Sequence, residues 1–173
     1  MVKQVFLNRR GFTLIEMMTI VVIIGIVSAM AFPKFGAAMH RLEFRNAGRH
    51  MVSKLRLARS TAISQKQQYG VSFDDQGTTM TLFLDTNNPS MFLFDGGDSV
   101  VSVDTLPADF SWVWAELGNY IPTVIFKPNG AAHSAAPRRI RFLSINPDDY
   151  IHFGTIELTP ATGRTKLTSL DGY

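Results

Sequence analysis

Arg9-Arg10-Gly11-Phe12-Thr13-Leu14-Ile15-Glu16 opens a run that stays apolar through Met17-Met-Thr-Ile-Val-Val-Ile-Ile-Gly-Ile-Val-Ser-Ala-Met-Ala-Phe32. As a helix, residues 12–32 span roughly 30 Å, enough to cross the hydrocarbon core of a bilayer. Glu16 is the single charge among them. A carboxylate at that depth costs about 2.5–3.5 kcal/mol, so it calls for a partner. A cut after Gly11 would place a new α-amino group one helical turn from Glu16. In a bundle of such helices, Glu16 of one subunit would pair with the terminal amine of the next. Both charges would be satisfied only in register, which makes the buried acid an assembly device.

Two plainer readings account for less. An ordinary membrane anchor leaves Glu16 without a reason. A secretory signal cut after Ala29-Met30-Ala31 fits the small-residue cleavage rule, but makes the Gly-Phe-Thr-Leu-Ile-Glu run a coincidence. Charge counting does not orient the span, because Lys3, Arg9 and Arg10 precede it while Lys34, Arg41, Arg45 and Arg49 follow it.

The stretch Arg9–Glu16 resembles the class III signal of type IV prepilins. The resemblance implies a membrane peptidase that cuts after Gly11 and methylates Phe12, with Glu16 as the registration acid. It also implies a single-pass protein of the bacterial inner membrane, with the C-terminal head in the periplasm or outside the cell. Pro33 falls where many pilins kink their helix. The implied boundaries are a leader at 1–11, a transmembrane and assembly helix at 12–32, and a pilin-like domain at 33–173.

Outward from the span, Phe35, Ala38, Met39, Leu42, Val52, Leu55, Ala58 and Ala62 recur at three- and four-residue spacing, the mark of an amphipathic helix reaching about residue 67. Arg41, Arg45 and Arg49 make a stripe on another face. Pro33, Gly36 and Gly48 are points where this rod would bend or loosen. Residues 34–66 hold eight basic residues and one acid, Glu43, whereas 67–173 hold six basic residues and twelve acids. A basic rod on an acidic head suits electrostatic contact between subunits, or two solvated faces. The net charge of +3 belongs to the leader, since Lys3, Arg9 and Arg10 leave with it.

From Tyr69 the period becomes two. Tyr69–Phe73 and Thr79–Asp85 read as a hairpin about the turn 74–77. Further strands are expected at 91–94, 100–103, 110–114, 123–127, 138–145, 150–159 and 164–168, separated by Gly, Pro, Asn and Asp breakers. Phe110, Trp112 and Trp114 would share one strand face. The fold class is therefore α+β: a long N-terminal helix, transmembrane in its first half and amphipathic in its second, packed on an antiparallel β-sheet head.

Three further stretches are similar to those of pseudopilins and minor pilins of the GspH/FimT type. They are Leu55–Ile63 near the end of the helix, the Phe126-Lys127-Pro128-Asn129-Gly130 turn, and Ile156–Leu167 with its Gly163-Arg164 pair. The resemblance implies a filament subunit that helps initiate or cap a type IV pilus or a type II secretion pseudopilus. Its implied partners are other pilin subunits, prepilin peptidase and the inner-membrane assembly platform. Some relatives of this type bind DNA for uptake through a Gly-Arg-x-Arg motif. Here Gly163-Arg164-Thr165-Lys166 departs from it, since lysine keeps the charge but loses the planar fork. Arg164 and Lys166, with Arg138, Arg139 and Arg141 if these fold nearby, are the candidate phosphate contacts.

The residues do not suggest an enzyme or a cofactor. There is no cysteine, and His40, His50, His133 and His152 are scattered without ligand spacing. Asp95, Asp98 and Asp104 flank a Gly pair but lack the spacing of a calcium loop, and a solvated loop is the simpler expectation.

Overall fold

The computed structural model describes residues 11–74, 79–107, 110–115, 123–133, 136, 138–145 and 151–172, with the side chains of 31–34, 37, 110–115, 145 and 169–172 excepted. One α-helix, α1 (Leu14–Gln65), precedes eight strands. The chain divides into two compact units, Met1–Met39 and His40–Tyr173.

The first unit is helical from Leu14. Thr13 caps it, its Oγ1 accepting from the Glu16 amide at 3.3 Å, while the Met17 amide donates to the Thr13 carbonyl. Thr13-Leu-Ile-Glu16 thus has the spacing of a capping box, with the acid in the first turn where the helix dipole favours it. Beyond the cap, large apolar side chains stand exposed on every face, among them Leu14, Ile15, Val21, Ile24, Val27 and Met30. Among the described residues no helix is long and apolar enough to cross a membrane. The apolar stretch whose side chains are described ends at Met30, and Ala31 and Phe32 of the expected 12–32 span lie outside it.

In the second unit α1 turns amphipathic. Its buried stripe is Phe44, Ala47, Met51, Val52, Leu55, Ala58 and Ala62, and Arg41, Arg45 and Arg49 lie exposed along its flank. The apolar face begins at Phe44: Phe35, Met39 and Leu42, expected to share it, are exposed. Helical assignment continues through Pro33, Gly36 and Gly48 to Gln65. Gly48 is a packing position and not a weak point, since a Cβ there would come 2.8 Å from the Phe142 ring. Lys66, at φ 55°, ends the helix in the left-handed conformation that usually falls to glycine.

The strands are β1 (Tyr69–Phe73), β2 (Thr79–Leu84), β3 (Ser99–Thr105), β4 (Phe110–Ala115), β5 (Thr123–Phe126), β6 (Arg139–Ile145), β7 (Ile151–Thr159) and β8 (Arg164–Gly172). They form two antiparallel sheets, ordered β3-β2-β1-β5 and β4-β6-β7-β8. Alternation predicts strands but not their partners, so one sheet was expected where there are two. The expected strand at 91–94 is absent. Phe92 there takes a positive φ of 55° and its ring stacks on His133, a conformation no strand ladder accommodates. The turn residues 75–77 lie outside the described residues. So do the side chains of Phe110, Trp112 and Trp114, and a register irregularity between Phe110 and Trp112 interrupts the alternation on which a shared face would rest.

The core lies where α1 meets both sheets. Val71, Phe73, Met80, Leu82, Val124 and Phe126 come from the first sheet, and Ile140, Phe142, Ile156 and Leu158 from the second. Phe44 packs on the Phe142 ring at 5.1 Å and on His152 at 5.5 Å. The outer face of the first sheet carries Phe83, covered by Phe94 at 4.8 Å. Edge strand β3 leaves Val100, Val101 and Val103 exposed.

Candidate functional site

Gly11, Phe12 and Glu16, the residues expected to serve processing and assembly, stand at the start of the first unit. Gly11 has open space around its α-carbon, and Phe12 is 73% exposed. Glu16 is exposed and, among the described residues, its carboxylate has no partner. These three are the candidates named from the sequence; the cap at Thr13 was not named, although the [Ser/Thr]-x-x-Glu spacing before an apolar run signals one.

In the second unit, the three stretches singled out by resemblance converge. Lys127-Pro128-Asn129-Gly130 is a tight turn, closed by the Gly130 amide on the Lys127 carbonyl at 2.8 Å. Pro128 presets the first central position, and Asn129 Oδ1 accepts from the Ala131 amide at 3.0 Å. The β7–β8 connection is closed by the Gly163 amide on the Thr159 carbonyl at 2.8 Å, and the Ala132 amide reaches across to the Pro160 carbonyl at 2.8 Å. Arg59 on α1 then donates Nε to the Gly130 carbonyl at 2.9 Å. Gly163 has φ +64°, and a Cβ on it would fall on that same carbonyl and on the Arg59 side chain. Glycine is required there both for its backbone and for space.

The candidate phosphate contacts are only partly brought together. Arg164 and Lys166 are exposed on β8, and Arg139 and Arg141 on β6. Register places Arg139 opposite Glu157, and Glu157 opposite Lys166. A carboxylate therefore sits in the row between the two cations and offsets them. Arg56 and Arg59 of α1 line one cleft together with Arg164.

The acidic residues serve the loop 86–98. Asp98 accepts from the Thr86, Asn87 and Asp95 amides at 3.0–3.2 Å. Asp95 accepts from the Gly97 amide at 2.9 Å and from Asn87, which holds its carboxyl below the usual range. Asp104 is engaged elsewhere, by Lys54 Nζ at 2.6 Å and His50 at 3.3 Å. Among the described residues no group of three or more His, Asp or Glu is arranged to hold a metal ion. Burial, with help from Arg41 and His40, lowers the His152 pKa, and burial with Lys127 lowers that of His133.

Two family descriptions match the chain: the prokaryotic N-terminal methylation motif over residues 7–32 and the type II transport protein GspH over residues 47–165. No curated protein matches it in sequence. Among solved structures, the type IV minor pilin FimU of Pseudomonas aeruginosa is similar with a TM-score of 0.50 at 17% identity, over 75% of this chain and 91% of FimU. The minor pseudopilin EpsH of the Vibrio cholerae type 2 secretion system aligns with a TM-score of 0.48 at 17% identity, over 73% of this chain and 97% of EpsH. The likeness to FimU is one of fold: a helix packed on antiparallel sheets. With the GspH description covering more than half of its length and the methylation motif ahead of it, the chain belongs to the type II transport protein GspH family.

Proposed function

We propose that the chain is a minor pilin or pseudopilin that helps initiate or cap a type IV pilus or a type II secretion pseudopilus. On this reading residues 1–11 are a leader removed by prepilin peptidase, and Phe12 becomes the N-methylated first residue. Residues 12–32 hold the subunit in the bacterial inner membrane, with the domain 33–173 outside the cytoplasm, until the assembly platform moves it into the filament. The observation that carries this is the first part of α1, residues 14–30, whose apolar side chains are exposed on every face and whose single charge is Glu16. Such a surface needs lipid or like helices around it, and Glu16 lies one turn from the amine that cleavage would create. The DNA-uptake reading is not favoured, because Glu157 separates Lys166 from Arg139 and the motif lacks its second arginine.

The intact mass and N-terminal peptide of the protein extracted from its native membrane test this. The expected chain begins at N-methylated Phe12. A chain beginning at Phe32 would make it a secreted soluble protein, and an uncut Met1 a plain anchored domain; either overturns the proposal.

A further inference from the structure

A cleft of about 300 Å³ opens beside α1 and the start of β8, lined in part by Arg56, Arg59, Arg164 and Thr165. Its cations are sparsely used. Arg56 commits one guanidinium N–H, to the Thr165 carbonyl at 3.3 Å, and Arg59 commits Nε to Gly130. A guanidinium has five donors, so most remain available. Among the described residues, none of the three arginines forms an ion pair. Three like charges around one cleft repel one another. One oxyanion relieves that repulsion, because arginine forks match the geometry of a carboxylate or phosphate.

We infer that this cleft is an oxyanion site, filled by the carboxylate of an Asp or Glu side chain from a neighbouring filament subunit. The inference rests on the filament-subunit reading above. Its size suits a single side-chain carboxylate rather than a run of nucleic-acid backbone. Residues 67–173 carry twelve acids against six bases, so the surroundings repel a polyanion while a lone carboxylate meets three cations. Residues 34–66 have the opposite balance, eight bases to one acid. A subunit of like design therefore presents the acids that this basic helix lacks.

The test uses the full-length chain in its native cells, with Ser60→p-benzoylphenylalanine, since Ser60 lines the same cleft and is exposed. Irradiation should link it to another pilin subunit at or beside an acidic residue. Arg164→Gln, whose side chain has no partner among the described residues, should lower the yield roughly two- to fivefold, the range for one part-exposed ion pair. Arg56→Gln should do the same, and the two together more. A cross-link to nucleic acid, or to protein with a yield indifferent to both substitutions, overturns the carboxylate site. So does the absence of any cross-link in subunits recovered from sheared filaments, which leaves the filament reading standing. Absence of the unsubstituted chain from filaments removes that reading and the inference with it.

Discussion

Asp85 is 5% exposed, and neither of its carboxylate oxygens has a hydrogen-bond partner. Burial first, then the charges of Asp98 and Asp95, push its pKa above the usual 3.8. The folded protein therefore holds this proton more tightly than the unfolded chain does. The stability this proton confers is complete below the unfolded value and is lost as pH rises through the folded one. At neutral pH the ionised form is a buried, unpaired charge. Asp85→Asn should consequently stabilise the protein by about 1–2 kcal/mol at pH 7. The gain should shrink as pH falls toward 3.8, which thermal melts over that range would follow. An advantage equal at every pH would mean that charge is not what the substitution relieves. Gly163 shows how little of such detail a sequence carries. Its place in a Gly-Arg pair was visible, but the carbonyl of Gly130 beneath it, which forbids a Cβ, was not.

At the scale of elements, α1 is tied to edge strand β3 by Lys54, a charge that the sequence offered only as one of the eight cations of a basic rod. The Lys54 side chain is 8% exposed, pairing with Asp104 at 2.6 Å and donating to Ser102 at 2.8 Å. Removing one partner of a buried pair strands the other, a larger loss than the pair's net worth. Because Asp104 is a quarter exposed, Lys54→Met should cost about 2–3 kcal/mol, below the range for fully buried pairs. Urea unfolding should show a lower midpoint at unchanged slope. Adding Asp104→Leu should recover much of the loss, whereas simple addition of the two effects would mean that the residues act independently. The strands themselves were legible, because apolar alternation with breakers is local information, and eight of the nine expected segments lie inside an observed strand or within one residue of its ends. Their division into two sheets depends on β4 and β5 joining different partners, which no local spacing records. Phe44 was missed for a related reason: its helical phase matters only once the sheets show which face they cover.

For the whole molecule, function depends on what surrounds the helix after Thr13. Under the proposed function Glu16 contributes little to the isolated subunit and much to the filament. Glu16→Ala should leave cleavage at Gly11 intact while lowering recovery in sheared filaments by about tenfold or more, as loss of a buried pair implies. Blotting of membrane and filament fractions would decide, and wild-type recovery would mean that Glu16 sets no register. Gly11, Phe12 and Glu16 could be named as candidates because they form one linear motif. The junction of Arg59 with Gly130 was not, since its members lie 71 residues apart and only the fold joins them. That separation has a consequence in time. The buried stripe of α1 is covered from both sheets, and Gly48 waits for Leu167 just as Arg56 waits for Thr165, 109 residues later. On a ribosome adding about 5–20 residues per second, the greasy face of the helix is synthesised many seconds before its last cover. Folding is then governed by long loop closures and proceeds slowly. The nascent chain spends that interval open to chaperones and to proteases.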